Sequence, residues 1–132
     1  ELKELLDMAG IIAGNFIGTF LVSFLMKAAH PKISSLELAH KKLDNNILHV
    51  FFLSIFCGVM MYLAIDNYNK SKNIVFIIAP VMIFILSGFE HSIANMFYFH
   101  FAGAYSFKAF GYLAVMLVGN GIGAKLFGLK PE

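Results

Sequence analysis

Glu90, His91 and Asn95 place a carboxylate, an imidazole and a carboxamide in an otherwise apolar stretch, Phe84-Ile85-Leu86-Ser87-Gly88-Phe89-Glu90-His91-Ser92-Ile93-Ala94-Asn95-Met96-Phe97-Tyr98-Phe99. A charged side chain in the middle of a bilayer costs a few kcal/mol or more, so such groups are rare there and mark a solute path or a site. An imidazole, with an ordinary pKa of about 6.5, can present or exchange a proton near neutral pH. The set suits the passage of a small solute with help from a proton. The chain lacks the paired nucleophile and base that covalent catalysis needs, so it does not read as an enzyme.

On a helical wheel Phe84, Gly88, His91, Asn95 and Phe99 share one face, spaced by four, three, four and four residues. Glu90 lies about 100° around from His91 and meets different surroundings. His91 has two readings, a neutral core imidazole bonded to a backbone carbonyl or a pore-lining group. The glycine before it, Asn95 one turn on and its depth in the apolar run favour the pore. Ser87-Gly88 can interrupt a helix, because Gly is a poor helix former and Ser can bond backbone groups instead. Glu90 then reads as scaffold. A carboxylate beside a break can accept bonds from orphan N–H groups and gains from the positive end of a half-helix. Asn95 suits either holding the loop or lining the path. Phe84, ahead of the break, is the candidate for an apolar constriction.

These residues need a membrane-spanning frame, and the composition supplies one. Of 132 residues 59% are hydrophobic and 14% charged, against about 25% charged in soluble domains. All of the positive charge is lysine, the net charge is only +2, and no basic cluster alternates with aromatics. Nucleic acid is thereby excluded as a partner. Cys57, the single cysteine, cannot form an internal disulfide. Four apolar runs, about 8–26, 47–65, 74–101 and 109–129, predict an all-α membrane protein with four membrane segments. Three runs are near the roughly 20 residues that cross a hydrocarbon core of about 30 Å. The third is about 28 residues, some 42 Å as one helix, and with Pro80 early and Ser87-Gly88 in its middle it is expected to be broken.

Between the runs, residues 35–42 are expected to form a short interfacial helix and residues 66–73 a tight turn. Lys42, just before the second run, is the candidate to attract an anion at a pore mouth, the other lysines being snorkelling amines. His30, His40 and His49 are expected near interfaces and solvated, and His100, which closes the third run, is expected to be interfacial. The lysines divide five and five between the two sides, so charge does not orient the chain. The opening Glu1-Leu2-Lys3-Glu4-Leu5-Leu6-Asp7 is too acidic for a signal peptide and lacks an initiator Met, which suggests a piece of something longer.

One repeat bears on architecture. Gly14-Asn15-Phe16-Ile17-Gly18 in the first run and Gly119-Asn120-Gly121-Ile122-Gly123 in the fourth both read Gly-Asn-x-Ile-Gly. Glycines four apart let helices approach closely, so Gly14, Asn15, Gly18, Gly119, Asn120 and Gly123 are read as helix-packing residues. Three crossings separate the copies, so they traverse the membrane in opposite directions, as equivalent helices of an inverted repeat do. The first run would then close a unit whose other two helices, and the other wall of the site, come from residues before Glu1.

Ser87-Gly88-Phe89-Glu90-His91-Ser92-Ile93-Ala94-Asn95-Met96 resembles the signature of the formate/nitrite transporter family, whose members pass small monovalent anions such as formate, nitrite, hydrosulfide or lactate. The two Gly-Asn-x-Ile-Gly segments are similar to the family's third and sixth helices, and Cys57-Gly58-Val59-Met60-Met61-Tyr62-Leu63-Ala64 to its fourth. The resemblance implies an aquaporin-like inverted-repeat bundle, of which this chain is the C-terminal part of a six-helix protomer. It also implies a homopentamer with one pore per protomer, multi-pass in the inner membrane with cytoplasmic termini, and no cofactor. The central pore histidine falls on His91, the broken fifth helix on the third run, the outer constriction on Phe84 and Met61, and the external lysine on Lys42. A fourth-helix asparagine of many formate and nitrite members aligns with Gly58, which leaves room for a hydrosulfide-type member. A haem subunit using His91 with His100 or His49 is the rival from another class. Nine residues put His91 and His100 about 180° and 13 Å apart on a regular helix, which argues against it. A cation or metal path through Glu90, His91 and Asn95 is opposed by the lysine at the mouth.

Overall fold

The computed structural model describes residues 2–29 and 35–128. Among them the chain forms six helices and no strand: α1 (Leu2–Ala29), α2 (Ser35–Asp44), α3 (Ile47–Ser71), α4 (Val75–Leu86), α5 (Ser92–Ala102) and α6 (Phe107–Gly128). By length and composition α1, α3 and α6 can each cross a membrane, and α4 is a shorter apolar helix. Leu129, the expected end of the fourth run, lies outside the described residues, as do His30, Lys32 and Lys130.

The long third run is broken as expected, and the break has a specific form. α4 and α5 are 12 and 11 residues, about 18 and 17 Å long, so neither crosses a hydrocarbon core alone. Each ends in the same motif. Gly88 adopts φ +68, with Gly88 N–H donating to Ile85 O at 3.2 Å and Phe89 N–H to Phe84 O at 3.0 Å. Gly103 adopts φ +69, with Gly103 N–H to His100 O at 3.1 Å and Ala104 N–H to Phe99 O at 2.9 Å. This is the left-handed glycine closure that satisfies orphan carbonyls at a helix end. Pro80 lies inside α4 without ending it.

The expected tight turn at 66–73 is corrected. α3 continues through Ser71, because the polar side chains there bond along their own helix: Asn67 Nδ2 to Leu63 O and Ser71 Oγ to Asn67 O, both 2.8 Å, with Lys70 paired to Asp66. Only then does Lys72 turn left-handed at φ 55, and the Asn73 carboxamide accepts from Val75 N–H at the start of α4. The helix expected at 35–42 is present as α2. At the other helix starts, Asn46 accepts from Leu48 N–H and Ser106 from Ala109 N–H, caps of the usual kind.

The chain divides into two compact units. The first holds α1, α2, most of α5 and the first turn of α6 (Glu1–Asp44 and Ile93–Phe110). Here α1 presents Phe16, Phe20 and Lys27 to His100 of α5, and Ser23, on the same face by spacing, is buried. Ala39 and Leu43 of α2 are buried, as are Met96, Phe99 and Phe101 of α5. The second unit holds α3, α4, the break and the rest of α6 (Asn45–Ser92 and Gly111–Glu132). α3 packs against α4 and, along a glycine seam, against α6. A Cβ on Gly119 would come within 2.6 Å of the Ser54 Cβ, one on Gly123 would strike Ile55 O, and one on Gly58 would strike Asn120 O.

Candidate functional site

In the second unit the site is the break itself, residues 87–90, with His91 next to it, and a carboxamide holds it. Asn120 Nδ2 donates to Glu90 O at 2.9 Å and to Ser54 O at 2.8 Å, while its Oδ1 accepts from Ser92 N–H at 2.9 Å. One side chain thus serves the buried Glu90 carbonyl before α5, an orphan N–H at its first residue and a carbonyl of α3. Leaving such groups unmatched in an apolar setting costs about 1–3 kcal/mol each. Glu90 N–H also reaches Leu53 O, at 3.4 Å.

Asn120, which the sequence marks as a packing residue, also accepts from the Ser92 N–H. Glu90 is buried, at 2% exposure, and its backbone joins the brace through both its N–H and its carbonyl. The signal was present, since Asn120 sits between two glycines that bring its helix backbone against α3.

His91 follows the break directly, half-buried, with its ring stacked on Phe84 at 5.6 Å and 25°. Phe84 belongs to the last turn of α4, and the left-handed Gly88 turn folds the chain back so that the two rings meet. Phe89 stacks on Phe56 of α3 at 5.6 Å, fixing the other side of the turn. Met61 of α3 is part-exposed in this unit.

The remaining candidates lie in the first unit. Lys42, in the last turn of α2, places Nζ 5.8 Å from the centre of the Tyr98 ring. Asn95 on α5 is buried, at 1% exposure. Gly14 and Gly18 have nothing within 4 Å of where a Cβ would stand, and the Asn15 carboxamide donates to Ile11 O of its own helix at 2.9 Å.

His100 is buried, at 3% exposure, and both ring nitrogens are engaged, Nδ1 with the Tyr105 hydroxyl at 3.0 Å and Nε2 with Phe16 O at 3.1 Å. A doubly bonded imidazole cannot also ligate a haem, which removes the pairing with His91. His40 and His49 are exposed as expected. Gly58 is a helix contact, since a Cβ there would point into the backbone of α6 at Asn120.

Comparison with known proteins agrees with this picture. The family model described as Formate/nitrite transporter matches residues 2–130. The chain is 30% identical over 100 residues to the Formate channel FocB of Escherichia coli K12, covering 73% of this chain and 36% of that protein. It is 28% identical over 99 residues to the Formate channel FocA of Haemophilus influenzae, covering 66% and 35%. It is 29% identical over 143 residues to the uncharacterized transporter YrhG of Bacillus subtilis 168, covering 96% and 54%. The chain therefore spans between about a third and a half of the length of these relatives. No solved structure matches it.

Proposed function

From the premise that this chain belongs to the formate/nitrite transporter family, and so to an integral, multi-pass membrane protein, we propose that its parent protein conducts small monovalent anions of the formate, nitrite and hydrosulfide class. Each protomer of a homopentamer would carry one pore, built on an inverted repeat in which α1 closes the first half and α6 the second. The two relatives named formate channels support the substrate class.

The observation that carries the reading is the braced break, with His91 stacked on Phe84 immediately after it. In this mechanism Lys42 draws an anion to the mouth, and Phe84 with Met61 form an apolar constriction where it sheds water. A bare anion there is expensive. His91 lowers that cost by donating a hydrogen bond or a proton, which makes permeation depend on pH. Asn95 lines the path, and Ser87, Gly88 and Glu90 shape the break. A hydrosulfide-specific member is the second reading, for which Gly58, aligned with an asparagine of many formate and nitrite members, leaves room.

The test is flux of formate, nitrite, hydrosulfide, lactate and chloride through the full-length protein in liposomes, for the native protein and for His91→Asn. Uptake of several of the monovalent anions, with pH dependence lost in the variant, is the expected result. Unchanged pH dependence would sink the proton role of His91.

A further inference from the structure

His100 is a buried titratable group that this mechanism does not use. Its Nε2 faces Phe16 O at 3.1 Å, and a carbonyl can only accept, so the proton sits on Nε2. Nδ1 is then an acceptor, and the Tyr105 hydroxyl donates to it at 3.0 Å. The ring is enclosed by Phe16 edge-on at 4.4 Å, Phe20 at 5.5 Å and Tyr105 at 5.7 Å. On the backbone of the same residue, Lys27 Nζ donates to the His100 carbonyl at 3.4 Å and lies over the Phe101 ring. Among the described residues the imidazole bonds only to the Tyr105 hydroxyl and the Phe16 carbonyl, and to no carboxylate. Tyr105 itself is 53% exposed, so its hydroxyl links the buried nitrogen to the outside.

We propose that His100 and Tyr105 form an acid-sensitive latch between α1 and the C-terminal end of α5. Neutral, His100 ties the Phe16 carbonyl of α1 to the turn after α5, and Lys27 fastens the same helix end. On acidification the Tyr105 oxygen takes a proton from hydronium, releasing water, as its own proton passes to Nδ1, leaving a neutral tyrosine and an imidazolium. That imidazolium stands in an aromatic slot with an ammonium on its own carbonyl and, among the described residues, no carboxylate bonded to it. An unpaired buried charge is costly, so the charged ring leaves the slot and α1 loses its hold on α5. Since α5 begins directly after His91, the latch adds a second pH-responsive group to the transport proposed above, and its link to flux rests on that reading.

The experiment uses the full-length protein in bilayers with isotope-labelled histidine, read by nitrogen NMR, alongside anion flux between about pH 7.5 and pH 5. Expected are a neutral Nε2–H tautomer at His100 at the higher pH and a second proton at the lower. His100→Gln, which keeps one donor and one acceptor but cannot be protonated, should leave flux at the higher pH unchanged and flatten its acid limb. Tyr105→Phe should disturb the Nδ1 signal even if His100→Gln fails to fold. An Nδ1–H tautomer, a ring still singly protonated at the lower pH, or an acid limb in His100→Gln that superimposes on the native one would each overturn the latch. Absence of anion flux in the native protein would defeat the transport reading alone, because the NMR arm still decides the state of His100.

Discussion

The same five-residue pattern has two fates in this chain. In α6, Gly119 and Gly123 let the helix backbone lie against α3, and Asn120 between them makes three bonds to the broken backbone and to α3. In α1, Gly14 and Gly18 look onto open space and Asn15 bonds back to its own helix. α1 instead packs through Phe16, Phe20, Ser23 and Lys27, on its opposite side. Motif and role are therefore separable. Glycines permit close approach, but what approaches decides whether the carboxamide becomes a brace.

The largest effect should come from filling the seam. Gly123→Leu forces a side chain into the α3 backbone and should cost about 3 kcal/mol or abolish folding, the upper end for overpacking. Gly121→Leu on the same helix, where nothing lies within 4 Å, should change stability by less than about 0.5 kcal/mol. Thermal unfolding in detergent of the two variants measures the contrast, and equal losses would refute the seam.

Next comes the brace. Asn120→Ala removes two donors and one acceptor from buried partners and should cost roughly 2–4 kcal/mol. Asn15→Ala in this chain should cost little, because its bond lies within one helix near solvent. In the full-length protein the two substitutions sharpen the inverted-repeat proposal. If a second broken helix lies on α1, Asn15→Ala becomes as damaging as Asn120→Ala. If Asn15→Ala stays mild there, the repeat is one of sequence alone.

The smallest effects belong to the two helix closures. Gly88→Ala and Gly103→Ala should each cost about 1–2 kcal/mol, since both residues hold a left-handed conformation that a Cβ disfavours. A loss at Gly103 without one at Gly88 would mean that the break at His91 tolerates another turn geometry.

The run lengths and polar interruptions made most of the helical frame legible. A 28-residue apolar run is too long to cross the hydrocarbon core upright, and Gly88 is the residue within it able to turn left-handed cheaply. The end of α3 was misread because Asp66, Asn67, Lys70 and Ser71 look like turn residues by composition, while their side chains bond one helical turn away. His91 was legible as a site residue because a titratable group in an apolar run is costly and so conspicuous. The burial of His100 left no mark in the sequence, because a residue at the end of an apolar run reads only as near an interface, whatever packs on it.

Residue types alone determined that this chain is a membrane protein, where its apolar helices run and that one of them breaks beside a histidine, because these follow from transfer energies and local backbone preferences. Only the tertiary structure decided that Asn120 holds the break, that Gly58 is a contact point and that His100 is locked between Phe16 and Tyr105. Those roles depend on which groups from distant parts of the chain meet, and a hydrogen bond between residues 28 or 84 positions apart leaves no periodic trace in the sequence.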